Sequence, residues 1–100
     1  MSNLNFRLAI TQEAKADIKA IANYTAKTWS AGQARKYLGM IFEKIQEIAQ
    51  NPDIGRRRLG IPPDIRGYKS EKHVIFYRIE GEIIYILRIL HEKMDHGSYL

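Results

Sequence analysis

Few side chains in this sequence are of a kind that does chemistry, and their spacing limits what they can do. The histidines are His73, His91 and His96. A metal centre needs three or four converging ligands at set intervals. His91 and Asp95 stand four apart, a single pair that could share a helical face but does not make a site. No metal or cofactor is expected. Neither a phosphate-cradling glycine loop nor a serine nucleophile elbow is present. The lack of cysteine removes thiol catalysis, Cys-based zinc sites and disulfides. For acid–base work the candidates are His91, Tyr85, Tyr99 and the carboxylates Glu71, Glu80, Glu82 and Glu92. The acids gather at turns, where carboxylates are usually solvated, and no paired-carboxylate spacing stands out. His91 reads instead as a residue that hydrogen-bonds backbone at the end of a sheet.

The basic residues are more informative. Arg56-Arg57-Arg58 lies in a loop and has two readings. It is a solvated loop that keeps the chain soluble, or it recognises phosphate or carboxylate, with which guanidinium forks pair bidentately. Arg66 and Lys69 extend the same patch. Arg78 and Arg88 differ, because they sit within apolar strands where an unpaired charge is costly. They are expected to pair with carboxylates, supplied by Glu43, Glu47 or an acidic partner. Trp29 reads as a core or rim aromatic rather than a base-stacking platform, and Tyr24 and Tyr37 could face each other across two helices.

These residues must be placed by secondary structure. Leu4 to Ile10 alternates with a period of two and predicts a short strand. Thr11 follows as a helix N-cap, with Glu13 near the positive end of the helix dipole. Ala14, Ile18, Ile21, Thr25 and Trp29 then recur at helical spacing as a buried stripe, opposite Lys15, Lys19 and Lys27. Ser30 and Gln33 form a capping-box pattern that starts a second helix. Its stripe is Ala34, Leu38, Ile41, Ile45 and Ile48, and Asn51-Pro52 ends it. Asp53 to Pro63 is a Gly-, Pro- and Arg-rich loop. Ile65–Ser70, Val74–Ile79 and Ile83–Leu90 read as strands, the last two joined through Glu80-Gly81-Glu82. The order β-α-α-β-β-β predicts an α+β fold, with a helical hairpin on one face of a small antiparallel sheet.

Strict alternation places Ile83, Tyr85, Leu87 and Ile89 on one face of the last strand, and Ile84, Ile86, Arg88 and Leu90 on the other. Val74 and Phe76 likewise oppose Ile75, Tyr77 and Ile79. Both faces are apolar, yet the helices cover only one. The second is covered by the chain's own loop and C-terminal tail, or by a protein partner.

At 100 residues the chain suits one domain spanning residues 1–100. A chain of this length buries only roughly 60–65% of its unfolded surface. Its apolar content of 45% and charged content of 27% favour a globular fold. No apolar run approaches the ~20 residues of a membrane span. With no secretory pattern at Met1-Ser2-Asn3-Leu4 and no cysteine, a cytoplasmic protein is expected. The net charge is +5. Residues 51–70 carry five basic side chains against Asp53 and Asp64, so more than half the excess lies in that stretch. Such a patch suits an anionic partner.

Several words occur in a specific order: Ala14-x-x-Asp17-Ile18-x-x-Ile21-x-x-Tyr24, Trp29, Gln33-Ala34-x-x-Tyr37, Asn51-Pro52-x-Ile54-Gly55-Arg56, Ile65-Arg66, His73-Val74-Ile75-Phe76-Tyr77-Arg78, and Ile86-Leu87-Arg88-Ile89-Leu90-His91-x-x-Met94-Asp95. From about residue 6 to residue 95 this set resembles the ParE family of bacterial toxin–antitoxin toxins, within the RelE/ParE superfamily. The resemblance implies the same β-α-α-β-β-β fold. It also implies a toxin that inhibits DNA gyrase and blocks replication. A ParD-like antitoxin would neutralise it in a hetero-oligomer, laying helical parts on the helical hairpin and an extended part along the sheet. Partner contacts are then expected at Trp29, Tyr37, Arg56, Arg57, Arg58, Arg66, Arg78, Arg88, His91 and Met94. Gyrase is expected to meet the basic loop and the segment from His91 to Leu100. No cofactor and no sequence-specific nucleic-acid binding are implied. The alternative is a RelE-like, ribosome-dependent mRNA endonuclease, drawing on Arg66, Lys69, Arg78, Arg88, His91 and Tyr99 for phosphate stabilisation and proton transfer. The Arg88-Ile89-Leu90-His91-x-x-Met94-Asp95 ending resembles the gyrase-poison branch.

Overall fold

The computed structural model describes residues 6–100. The strand expected from Leu4 is described only from Phe6 onward; Leu4 and Asn5 lie outside the described residues. The elements are β1 (Arg7–Ile10), α1 (Gln12–Thr28), α2 (Ala31–Gln50), β2 (Ile65–Ser70), β3 (His73–Glu80) and β4 (Ile83–His91), with 3-10 turns at Pro52–Ile54 and His96–Tyr99. Both helices start where the caps predict. The Ala14 N–H donates to Thr11 Oγ1 at 3.1 Å and the Gln33 N–H to Ser30 Oγ at 3.0 Å, satisfying donors that have no partner inside the helix.

The sheet order is β1-β4-β3-β2. The meander β2-β3-β4 is antiparallel, but β1 runs parallel to β4, from Arg7 opposite Ile83 to Ile10 opposite Ile86. The sheet is therefore mixed, not antiparallel as expected. A period of two identifies a strand but carries no direction. Here the hairpins set the direction of β4, and the lead into α1 sets that of β1.

The helix-facing core joins Ala14 and Ile21 of α1 and Ile41, Ile45 and Ile48 of α2 to Ile75, Tyr77, Ile84, Ile86 and Ile89 of the sheet. The second sheet face is closed by the chain itself. Ile65, Val74, Phe76 and Leu90 form a core there with Ile61 from the loop, Leu87, and Met94 and Leu100 from the tail.

The expected faces of β4 hold only for its first half. A register shift between Phe76 and Tyr77 sets Ile86 opposite Tyr77 but Arg88 opposite Phe76, leaving Leu87 as an extra residue. This is a β-bulge, and it re-aims every later side chain. Ile84, Ile86 and Ile89 consequently share the helix side, whereas Leu87 and Leu90 join the second core.

The loop after α2 is pinned from below. The hydroxyl of fully buried Tyr77 donates to the Pro52 carbonyl at 2.6 Å and accepts the Gly55 N–H at 2.8 Å. A Cβ on Gly55 would lie 2.5 Å from that hydroxyl oxygen and 2.7 Å from ring atom Cε1. Gly55→Ala is thus expected to destabilise the fold by about 1–3 kcal/mol through overpacking against a rigid ring, read from the urea midpoint.

Candidate functional site

A groove of about 720 Å3 opens at the corner of the helical hairpin. Ala20, Tyr24 and Thr25 of α1 form one wall, Gln33 and Tyr37 of α2 the other, and Lys72, His73 and His91 the sheet end. Trp29 stands at the corner. Tyr24 is 68% exposed and Trp29 73% exposed, unusual for large aromatic side chains. The expected burial of Trp29 within the α1 stripe is wrong. The helix ends at Thr28, and Trp29 is its C-cap with φ −121° and ψ −77°, which swings the indole off the helical face. Trp29 belongs to the rim.

The groove floor is built by strand register. His73 opens β3 directly opposite His91 at the end of β4, and their rings meet edge to face with centroids 5.3 Å apart. Tyr37 reaches down from α2, its hydroxyl 2.6 Å from His73 Nδ1. The Lys72 N–H donates to the same hydroxyl at 3.1 Å. The set is satisfied when Tyr37 accepts from Lys72 and donates to Nδ1 of a neutral His73. Burial, reinforced by neighbouring His91, lowers the pKa of His73 from its ordinary 6.5, while burial raises that of Tyr37. The folded state thus resists protonating His73 more than the unfolded chain does. Stability is full above pH 6.5 and falls as pH drops through the lowered folded value. A Tm that declines over this window, with a flatter slope in His73→Gln, is the expected result.

His91 behaves as its position suggests. Its Nδ1 accepts the Lys93 N–H at 3.2 Å, and its carbonyl accepts from Met94 N–H at 3.1 Å and His96 Nε2 at 2.9 Å.

The strand arginines are ion-paired, though not with Glu43 or Glu47. Arg88 meets Asp17 of α1 in a two-pronged bond, Nε to Oδ2 at 2.8 Å and Nη2 to Oδ1 at 2.9 Å. Asp17 raises the Arg88 pKa further. Arg78 Nε lies 2.9 Å from Glu80 Oε2, without the alignment of a hydrogen bond. Arg66 donates to the Gly55 carbonyl at 3.1 Å and lies 3.6 Å from Asp53. Glu47 instead accepts the Tyr68 hydroxyl at 2.5 Å. By register Arg66 shares the helix face with Tyr77, whereas Arg78 shares the opposite face with Ile65. Each of these three has a carboxylate within 4 Å, and Arg66 and Arg78 lie on opposite faces.

Of the expected contact residues, the fold brings Trp29, Tyr37 and His91 into one groove. Arg56, Arg57 and Arg58 stand apart on an exposed loop, and Met94 is half-buried in the second core. Sequence reasoning left out Lys72 and, though it weighed His73 as a metal ligand, did not count it among the contacts; both become neighbours of His91 only through the β3–β4 register. It also gave no role to Asp17, whose signal was its place four residues before Ile21 beside the apolar stripe.

A family model described as ParE toxin of type II toxin-antitoxin system, parDE, matches residues 8–96. The chain is 34% identical over 93 residues to Toxin ParE1 of Mycobacterium tuberculosis, covering 92% of this chain and 95% of the relative. It is 32% identical over 87 residues to Toxin ParE of Escherichia coli, covering 86% of this chain and 84% of the relative. A solved structure titled "Chromosomal ParDE TA system from P. aeruginosa" superposes with a TM-score of 0.78 at 26% identity, covering 89% of this chain and 98% of that one.

Proposed function

Since the chain belongs to the ParE toxin family of type II toxin–antitoxin systems, we propose that it is a cytoplasmic toxin that inhibits DNA gyrase by binding, and that a ParD-like antitoxin neutralises it in a hetero-oligomer. The observation that carries the antitoxin half is the groove. It presents exposed Tyr24 and Trp29 on one side and Lys72 on the other. An amphipathic helix with apolar anchors and an acidic flank fits such a site.

Action by binding is supported by the strand arginines. A phosphoryl-transfer site needs cations aimed at one developing charge. Arg88 is instead held by Asp17 in a shielded two-pronged pair, and Arg66 and Arg78 stand on opposite faces of the sheet.

The test is to incubate the purified chain with gyrase and supercoiled plasmid, and separately with ribosomes programmed with mRNA. Lost supercoiling or stabilised gyrase cleavage is expected, reversed by the antitoxin. Cleavage of mRNA at codon positions with gyrase unaffected would overturn the reading in favour of a nuclease.

A further inference from the structure

The cations of β2, β3 and β4 each have a carboxylate: Arg66 has Asp53, Lys69 has Glu92 at 2.9 Å, Arg78 has Glu80 and Arg88 has Asp17. The loop arginines do not. Among the described residues Arg56, Arg57 and Arg58 make no ion pair, and all three are exposed. Next to them Leu59 stands wholly in water, at 102% relative exposure. Other cations among the described residues are also unpaired, but only here do three stand consecutively beside an exposed apolar side chain.

The tip is also braced. Arg56 exchanges two backbone hydrogen bonds with Gly67 on the edge of β2, at 2.9 and 2.8 Å. The Arg58 carbonyl accepts the Ile61 N–H at 3.3 Å, and Ile61 is anchored in the second core. Gly60, at φ +78°, makes the turn that a side-chain-bearing residue would resist. Holding the loop in one shape lowers the entropy lost when it binds.

We propose that the Arg56–Leu59 tip is a sequence-independent contact for duplex DNA, with the guanidiniums on phosphates bordering the minor groove and Leu59 entering it. Duplex DNA offers a charge about every 1.7 Å along its axis, so neighbouring guanidiniums find phosphates without a matched protein fold. Proteins that enter a minor groove commonly place arginine there and frequently insert an apolar side chain between base steps. No aromatic stands on the tip to stack an unpaired base, which disfavours single strands. Arginine can anchor a protein interface, but leucine seldom does, and no Trp or Tyr stands on the tip beside these arginines. The inference does not depend on which enzyme the toxin binds.

The experiment uses fluorescence anisotropy of a labelled duplex of about 30 base pairs, titrated with the full chain from 50 mM salt upward. Binding in the micromolar range is expected, with log K falling against log salt at a slope of roughly −2 to −3, about 0.9 per phosphate contact. Arg57 makes no hydrogen bond or ion pair among the described residues, so Arg57→Glu should keep the Tm while weakening binding at least about tenfold and flattening the slope by about 1. Leu59→Asn should weaken binding several-fold with the slope unchanged. The proposal is overturned if the duplex is not bound at 50 mM salt, or if Arg57→Glu binds as tightly as the unsubstituted chain. It is equally overturned if polyglutamate at matched charge competes as well as unlabelled duplex, which would assign the tip to an acidic protein.

Discussion

Replacing Asp17 with alanine is expected to destabilise the fold by about 3 kcal/mol. Asp17 is an acceptor for three donors at once. Its Oδ2 takes Arg88 Nε at 2.8 Å and the Ile89 N–H at 2.8 Å, and its Oδ1 takes Arg88 Nη2 at 2.9 Å. The pair is largely shielded, with side-chain exposures of 22% for Arg88 and 13% for Asp17. The position explains the need. Pairing of β1 with β4 stops at Ile86, so beyond it the edge of β4 would face α1 with unmet donors and acceptors. Thr11 covers the first of these, its hydroxyl donating to the Leu87 carbonyl at 2.9 Å, and Asp17 covers the next. Removing the carboxylate leaves a shielded cation and a backbone N–H without acceptors, and an orphaned group is penalised more than a formed bond is rewarded. For a domain of this size the loss corresponds to a Tm drop on the order of 15 °C. Urea unfolding of Asp17→Ala, Arg88→Met and the double variant checks the account. The double variant should recover part of the loss, because it no longer strands a charge. A loss under about 1 kcal/mol for Asp17→Ala would show that water can replace the carboxylate.

The second large effect concerns binding. Trp29→Ala should weaken antitoxin binding by about 2–4 kcal/mol, roughly 30- to 1000-fold in Kd, as expected for an aromatic anchor. Stability should change by less than about 0.5 kcal/mol, because an exposed side chain contributes little to the fold. The Trp29 backbone N–H still donates to the Thr25 carbonyl at 2.9 Å in the variant, so the helix end is preserved. Calorimetric titration of the variant with the antitoxin reads the first quantity and thermal melting the second. A Kd within threefold of the unsubstituted chain would move the antitoxin away from this groove. The contrast between Asp17 and Trp29 is instructive. One substitution is expected to weaken the fold and the other only the binding.

Much of this was legible from residue order. The caps at Thr11 and Ser30, the stop at Pro52 and the stripe from Ala34 to Ile48 are local, since each depends on neighbours within a turn or two of helix. The β3–β4 hairpin was legible for the same reason, with Gly81 at φ +59° in its turn. One failure was a misjudged helix end, and the others were non-local. Trp29 falls in helical phase with the stripe, but phase has meaning only while the helix lasts, and α1 ends one residue earlier. Glu43 and Glu47 were offered as partners for Arg78 and Arg88, whereas Asp17 and Glu80 hold them. Charge and burial require that a partner exist, but they do not say which of several carboxylates arrives.

Periodicity, capping and turn chemistry thus determined the elements, their order and the α+β class, because those signals act over a few residues of chain. Tertiary structure alone decided the parallel pairing of β1 with β4, the bulge that turns Leu87 and Leu90 toward the second core, and the closing of that face by Ile61, Met94 and Leu100. It alone set Tyr37, His73 and His91 side by side beneath Tyr24 and Trp29. These outcomes depend on which distant segments share a register and a face. Many pairings satisfy the same local pattern, and only packing the whole chain into one core selects among them.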